Sequence, residues 1–273
     1  MIAVVQLGTV DYAAGLQLQR SLVELRHTER IPNVLLLLEH RPVITLGRNA
    51  NRGNVVASPE LLERQGVQVF PCDRGGDVTF HGPGQLVGYP IFNLRSLRNP
   101  SRQTSPDSPD SPPETSPCKT LGAVDYVRCL EEALVRTCAD FGVAAGRIAK
   151  LTGVWTEGSS KPQAKLAAIG VHISRGITSH GFALNVNTDL EYFKLIVPCG
   201  IASKPVTSLA REAGMEIPVS AVADSVARNF GRVFASQILW VETLDALLGN
   251  VVGVPARAPE ELRKLHEDET FWA

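Results

Sequence analysis

Five glycines lie within residues 74–90, a segment that joins two strand-like apolar runs. Glycine brings no side chain to a core and loses more backbone entropy on folding than other residues. So dense a cluster predicts unusual backbone dihedrals, or close contact between the backbone and a bound molecule. The same segment contains Arg74 and His81. Either residue would serve a binding loop, and Arg74 would equally brace it.

A second group of reactive residues follows about a hundred residues later. It comprises Lys165 at the start of the run 165–170, His180 at the start of 180–186, and Cys199 between a proline and a glycine. A lysine, a histidine and a glycine-flanked cysteine are residue types that acyl transfer uses. The two groups together predict an acyl-transfer site.

Charge and hydropathy exclude two classes of partner. The formal net charge is -1 with both signs interspersed, so the chain has no basic field for nucleic acid or an anionic membrane surface. The longest apolar runs, such as 34–38, are far shorter than a bilayer span. We therefore expect neither nucleic acid nor membrane as a partner.

Cysteine usage and the N-terminus bear on the cellular compartment. The odd count of five cysteines leaves at least one thiol unpaired, which favours a reducing environment. Residues 1–7 read at once as a strand, without the basic region, apolar core and cleavage site of a signal peptide. The expected location is the cytoplasm.

Helix and strand patterns alternate before residue 98. Asp11 can cap a helix that runs to about His27, and Ser58 with Pro59 opens a short helix that Gly66 closes. The glycine-rich segment, together with 86–94, reads as a hairpin or as a loop flanked by strands. Strand patterns cover the ranges 33–39, 42–46 and 67–70.

The same alternation continues after residue 120. A core-facing helix carries apolar residues at helical spacing from Val127 to Phe141 and ends at Gly142. Ser220 can cap a further helix to about Phe234. Strand patterns cover 153–156, 164–173 and 177–186, with a turn at 158–162, and short helices are predicted in 240–273.

Serine, proline, threonine and aspartate dominate residues 99–117, which cannot bury apolar surface. A linker between two domains is one interpretation. We favour a disordered insertion within one domain, because the two groups of reactive residues lie on opposite sides of it and must meet. The predicted organisation is a single domain over 1–240 with this insertion, followed by a helical tail at 241–273.

Familiar cofactor motifs do not fit. Residues 82–88 miss the dinucleotide-binding spacing by one residue, and 176–181 lack the lysine and hydroxyl residue of a phosphate-binding loop. Zinc would require side chains with nonspecific spacing to converge, namely His81, His172, His180 and Cys199. We expect no metal.

Cys199 and Lys165 each admit a structural explanation. Cys199 would be a small buried apolar residue, as we expect for Cys138, but the flanking proline and glycine favour an exposed nucleophile with an oxyanion hole. Lys165 would be a solvated lysine on the outer face of a strand. Turned inward, it would instead act as a base or stabilise a nearby thiolate.

The sequence motifs along residues 1–235 resemble those of the lipoyl(octanoyl) transferases and occur in the same order. Such an ordered set is specific. The resemblance implies an α/β fold with a mixed sheet and flanking helices, like the catalytic domain of biotin and lipoate protein ligases. The matching segments are 74–76 with Thr79, 81–85, 89–90, 153–155, 165–170, 180–181 with 183–185, 189–193 and 198–200.

The resemblance also implies an activity, the first step of protein lipoylation. An octanoyl group would pass from octanoyl-acyl carrier protein to a lysine of lipoyl domains, found in 2-oxoacid dehydrogenase complexes and the glycine cleavage H protein. No cofactor would be needed, because the acyl group arrives as a thioester on a phosphopantetheine arm. The insertion at 99–117 and the tail beyond Trp240 depart from the family pattern.

The resemblance assigns roles to individual residues. Cys199 would be the nucleophile and Lys165 its partner in proton transfer. The implied substrate-binding residues are Arg74, Gly75, Gly76, Thr79, His81, Gly82, Ala168, Ile169, Gly170, His180, Gly181 and Ala183.

Three alternatives remain on the sequence. An ATP-dependent lipoate or biotin ligase would need no nucleophilic cysteine, and the setting of Cys199 argues against it. An amidotransferase that moves lipoyl or octanoyl groups between carrier proteins shares the expected fold. A binding module for a lipoyl domain, without catalysis, is the third alternative.

Overall fold

The computed structural model describes residues 1–97, 120–158, 162–198 and 204–249. The predicted insertion at 99–117, Cys199 and the tail beyond residue 249 lie outside the described residues, as does the centre of the turn at 158–162.

Eleven strands occur in the described residues. They are β1 (Ile2–Val10), β2 (Asn33–His40), β3 (Val43–Leu46), β4 (Gln68–Pro71), β5 (Val78–His81), β6 (Gln85–Ile91), β7 (Ala145–Ile148), β8 (Leu151–Thr156), β9 (Lys165–Ser174), β10 (Ile177–Asn185) and β11 (Ile238–Trp240).

Six α-helices accompany these strands in the described ranges. None of the six has the length and apolar content that crossing a bilayer requires. Within the same described ranges, short 3-10 helices cover Arg52–Asn54, Leu94–Ser96 and Leu190–Leu195. The α-helices are α1 (Tyr12–His27), α2 (Pro59–Arg64), α3 (Ala123–Asp140), α4 (Leu209–Ala213), α5 (Val219–Val233) and α6 (Leu244–Gly249).

Eight strands form one mixed sheet, in the order β11-β1-β2-β6-β10-β9-β8-β7. The first three pair in parallel and the other neighbours are antiparallel. A second sheet has the order β4-β3-β5. The predicted mixed sheet with flanking helices is thus confirmed.

Strand β2 shows why a central strand of the sheet has a continuous apolar sequence. Leu35 and Leu37 belong to the core that includes α3 and α5, whereas Val34, Leu36 and Leu38 belong to the core that includes α1. Successive side chains of a strand point to opposite faces, and here both faces are covered. Helices on both sides of the sheet therefore remove every residue of 34–38 from water.

Capping residues define several helix ends as predicted. The Asp11 side chain accepts a hydrogen bond from the Ala13 N–H at 3.0 Å, and α1 then runs to His27. Ser58 caps α2. Gly142, in the left-handed region with φ 73°, follows the end of α3. The residues next to these three helix ends were sufficient to predict where each helix begins or ends.

The predicted cap at Ser220 is wrong. Helix α5 begins at Val219, so Ser220 lies inside its first turn. The Pro218 carbonyl accepts from the Val222 N–H at 3.2 Å, which makes Pro218 the cap residue. A proline suits this end because the first helical turn has N–H groups without intrahelical acceptors in any case.

Side-chain packing explains two of the glycines in the glycine-rich segment. Strands β5 and β6 belong to different sheets, so the segment is a loop flanked by strands and not a paired hairpin. A Cβ on Gly88 would lie 2.1 Å from the Phe182 ring, and one on Gly82 would lie 2.6 Å from Phe80. At these two positions glycine makes room for protein side chains, whereas the sequence had also suggested a bound molecule.

Candidate active site

A cavity lies where the segment after β4 meets β5, β9 and β10; we call it the central cavity. About 480 Å³ of space between atoms fills the cavity and its mouth. Eleven of the twelve predicted binding residues line it, and Gly82 does not. The full lining is Tyr12, Arg74, Gly75, Gly76, Asp77, Thr79, His81, Val87, Tyr89, Ala168, Ile169, Gly170, His180, Gly181, Phe182 and Ala183.

Two glycines let the 74–77 segment lie against β9. The Gly75 N–H donates to the Val171 carbonyl at 3.0 Å. A Cβ on Gly170 would lie 2.7 Å from the Gly75 carbonyl oxygen, closer than real Cβ contacts allow. The wall of the central cavity thus depends on a close backbone approach between segments about a hundred residues apart.

We expect Gly170→Ala to widen this contact and lower the free energy of unfolding by about 1–3 kcal/mol. Chemical denaturation measures the change. Gly122→Ser is the matched control, because a Cβ at Gly122 meets no atom closer than 3.8 Å. Equal losses in both variants would contradict the proposed packing.

Arg74 braces the loop, the structural role considered from the sequence. Its guanidinium donates to the Thr45 carbonyl at 2.7 Å, to the Thr45 hydroxyl at 2.8 Å and to the Gly75 carbonyl at 3.1 Å. These bonds fix Arg74 in the wall with its charge directed towards protein oxygens. The residue therefore shapes the central cavity chiefly by holding β3 against the 74–77 segment.

His81 is held as a neutral imidazole. The Gln85 amide nitrogen donates to the Phe80 carbonyl at 3.2 Å and to Asn185 Oδ1 at 2.8 Å. Gln85 Oε1 must therefore accept from His81 Nδ1–H, 2.8 Å away. Burial is the main cause that holds the pKa of His81 well below its usual value, and the neighbouring His40 is the second cause. The lone pair consequently resides on Nε2.

Gln85 and Asn185 belong to the candidate site, and the sequence assigned no role to either. Both are almost fully buried polar residues within strands. Asn185 donates in turn to the Thr207 carbonyl at 2.9 Å. A polar side chain at an inward strand position was the available signal, since buried polar groups require partners. The network links His81 to the segment that follows residue 203.

We expect Gln85→Leu to lower the free energy of unfolding by about 1–3 kcal/mol, because three buried polar groups lose their partner. Chemical denaturation measures it. Gln65→Leu, at an exposed position after α2, is the matched control and should change stability by less than about 0.5 kcal/mol. Similar transition midpoints for the two variants would argue against the network.

Three further aromatic or imidazole groups support this wall. His40 Nδ1 lies 2.6 Å from the Val10 carbonyl, and burial lowers the pKa of His40 to about 4. The neutral ring donates through Nδ1, so His40 Nε2 accepts from the Tyr89 hydroxyl at 2.6 Å. The Tyr12 ring stacks on His81 with centroids 6.0 Å apart. Tyr12 and Tyr89 are lining residues to which the sequence gave no role.

Lys165 points inward. It is only 7% exposed, so the outer-face interpretation is wrong. Its Nζ lies 4.7 Å from the centroid of the buried Trp155 ring, a distance at which an ammonium and an indole attract. Lys165 lines a smaller cavity, the lysine cavity, with Thr79, Gln85, Ala168, Ala183, Asn185, Phe193, Pro198 and Val206.

The lysine cavity adjoins the central cavity, because Thr79, Ala168 and Ala183 line both. The Lys165 backbone also pairs with the segment after residue 203. Its N–H donates to the Pro205 carbonyl at 2.8 Å, and its carbonyl accepts from the Thr207 N–H at 2.9 Å. Cys199 itself lies outside the described residues.

His180 occupies a strained position in β10. Its φ is 54°, in the left-handed region, although it lies within a strand. The His180 N–H donates to Gln19 Oε1 at 2.7 Å, and His180 Nε2 lies 2.8 Å from Asp73 Oδ1. Burial lowers the pKa of His180, although the Asp73 carboxylate opposes this effect. Contacts on both its backbone and its ring hold the residue in place.

Among the described residues, no group of three or more His, Cys, Asp or Glu side chains is arranged to hold a metal ion. His81 and His180 do line one cavity, but Gln85 and Asp73 respectively engage their rings. The described part of the site therefore offers hydrogen-bonded imidazoles, one buried lysine and apolar walls.

Comparison with known proteins gives the family. The family of the lipoyl protein ligase A/B catalytic domain matches residues 11–105 and 114–231. An octanoyltransferase of Koribacter versatilis (strain Ellin345) is 56% identical over 269 residues, covering 98% of each chain. An octanoyltransferase of Acidobacterium capsulatum is 56% identical over 251 residues, covering 91% of this chain and 96% of the relative.

Solved structures show the same fold at low identity. A bi-partite lipoate protein ligase from Thermoplasma acidophilum superimposes with a TM-score of 0.64 at 15% identity, covering 99% of this chain and 92% of the other. The predicted likeness to lipoate ligase folds is thereby confirmed. Because the match covers most of this chain, the chain belongs to the family of the lipoyl protein ligase A/B catalytic domain.

Proposed function

We propose that this protein is an octanoyltransferase, an acyltransferase that passes an octanoyl group through Cys199 to a lysine of a lipoyl domain. One observation carries the proposal. Lys165 is buried in a cavity that opens towards the apolar central cavity, and Pro198 and Val206, from the two sides of 199–203, line that same cavity. The relatives named octanoyltransferases support the choice of acyl group.

In the first half-reaction, the Cys199 thiolate attacks the carbonyl carbon of an octanoyl thioester on acyl carrier protein. The bond from that carbon to the phosphopantetheine sulfur breaks, and the departing thiolate takes a proton from the Lys165 ammonium. A cation beside the attacking sulfur also favours its thiolate form. The octanoyl group is then bound to Cys199 as a thioester.

In the second half-reaction, the neutral amine of an acceptor lysine attacks the Cys199 thioester. An amide bond forms, the carbon–sulfur bond breaks, and Cys199 leaves as a thiolate. The proton released by the attacking amine passes to neutral Lys165, which restores the ammonium. Each turnover therefore returns both residues to their starting protonation states.

The apolar lining of the central cavity suits the fatty chain. Val87, Ile169 and Phe182 present aliphatic or aromatic surface next to the small residues Ala168 and Ala183. Burying a methylene group contributes about 0.8 kcal/mol, so seven carbons beyond the carbonyl contribute several kcal/mol. Octanoyl groups would consequently bind more tightly than short acyl groups.

The donor and the acceptors are those that the family resemblance implies. An acyl carrier protein supplies an activated thioester, so the reaction requires neither nucleotide nor other cofactor. The acceptors are lipoyl domains of the 2-oxoacid dehydrogenase complexes and the glycine cleavage H protein. Both partners present a flexible arm to one buried site, which suits ping-pong kinetics and small, transient interfaces.

Intact-mass analysis tests the proposal. Incubation with octanoyl-acyl carrier protein and no ATP should add one octanoyl group to the protein, and hydroxylamine should remove it. A lipoyl domain added next should gain that group. Transfer from free octanoate that depends on ATP would identify a ligase. Loading from an octanoylated lipoyl domain, with none from acyl carrier protein, would identify an amidotransferase.

A further inference from the structure

A second cavity lies between α1 and the far ends of β9 and β10; we call it the α1 cavity. Its wall contains both apolar and charged side chains. His180 is the one described residue that lines both this cavity and the central cavity. Its lining includes Gln19 of α1, Asp73, Ser174 and His180.

The position of His180 is determined by its surroundings. Its side chain is only 4% exposed and contacts Asp73, while Gln19 of α1 accepts from its N–H. A residue other than glycine at φ 54° costs free energy that neighbouring contacts must offset. Such enforced strain is typical of ligand-binding sites. The ring is thereby fixed between the two cavities.

The distance along β10 matches the length of an octanoyl chain. Ala183 borders the lysine cavity and His180 borders the α1 cavity. Three residues of a strand span about 10 Å. An extended hydrocarbon chain advances about 1.3 Å per carbon–carbon bond, so the seven bonds of an octanoyl group span about 9 Å. A chain whose carbonyl lies near Ala183 therefore ends at His180.

We propose that the His180 ring closes the far end of the acyl site and sets the upper limit of chain length, with Asp73 and Gln19 as its supports. The inference rests on the proposed octanoyl transfer. The substrates are straight-chain fatty acyl thioesters of up to eight carbons. Longer chains meet the ring before they can enter the α1 cavity, where Leu16, Val23 and Ile177 offer apolar surface.

His180→Gly is the test variant, since glycine adopts φ 54° without strain and the substitution removes the ring. We expect the dodecanoyl-to-octanoyl ratio of kcat/KM for loading from acyl carrier protein to rise by at least about tenfold. His180→Asn, which tolerates the left-handed region and is smaller, should give an intermediate ratio. Ser174→Ala, in the wall of the α1 cavity but not of the central cavity, should leave the ratio unchanged.

Binding of free octanoate and dodecanoate, measured by calorimetry on the same variants, provides a readout that does not depend on turnover. A raised dodecanoate-to-octanoate affinity ratio in His180→Gly supports the inference. An unchanged ratio overturns it, even where octanoyl transfer is intact. If the affinity ratio depends on His180 but the unaltered protein loads no acyl group, the proposed function is contradicted and the inference about His180 is not.

Discussion

Cys199→Ser is expected to abolish octanoyl transfer, with a loss of at least about a thousandfold in rate, or about 4 kcal/mol of transition-state stabilisation. The serine hydroxyl has nearly the same size but remains protonated at neutral pH, so it lacks the nucleophilicity of a thiolate. Single-turnover loading from octanoyl-acyl carrier protein measures the loss. Intact mass should show no hydroxylamine-sensitive octanoyl group.

Cys72→Ser is the matched control for this prediction. Cys72 is half-buried, and its Sγ lies 3.4 Å from the Leu46 carbonyl, a hydrogen bond that a serine hydroxyl can also make. We expect its loading rate to equal that of the unaltered protein. Loading of Cys199→Ser at a comparable rate would remove the thioester from the mechanism.

Lys165→Ala should lower the loading rate by about 10²–10⁴-fold, the range that positioned acid–base groups contribute. In the proposed mechanism, the variant lacks the cation that favours the Cys199 thiolate and the acid that protonates the departing thiolate. The rate of Cys199 alkylation by iodoacetamide, followed against pH, should show that the pKa of the thiol has risen. Thermal unfolding checks that the variant is folded.

Two further lysine variants separate the roles of charge and proton transfer. Lys165→Arg keeps a cation that does not release its proton, so the pKa of the Cys199 thiol should equal that in the unaltered protein while turnover stays slow. Lys204→Met is the matched control. Lys204 Nζ also lies over the Trp155 ring, at 5.7 Å, but the residue does not line the lysine cavity. A loading rate for Lys165→Ala equal to that for Lys204→Met would exclude Lys165 from catalysis.

Local sequence patterns predicted much of the fold. The Asp11 cap, the apolar run of β2 and the left-handed Gly142 each depend on a few neighbouring residues. The predicted cap at Ser220 failed because serine is a preferred cap residue, whereas the first backbone hydrogen bond of α5 runs to the Pro218 carbonyl. Element types were therefore easier to predict than their limits.

The candidate site was predicted in composition but not in physical detail. The family resemblance supplied eleven of the sixteen residues that line the central cavity. It did not show that the Gln85 amide bridges His81 and Asn185, because the three side chains come from three strands. The role of Gly88 likewise depends on Phe182, a distant residue in sequence. Contacts of this kind become visible only when the strands are paired.

The pairing of β6 with β10 has a consequence for synthesis of the chain. Gly88 pairs with Phe182, about ninety residues later. At translation rates of about 5–20 residues per second, β6 leaves the ribosome roughly 5–20 seconds before its partner. During that interval a buried central strand is an exposed edge that other chains can pair with. We expect the nascent protein to need chaperone protection until β10 emerges.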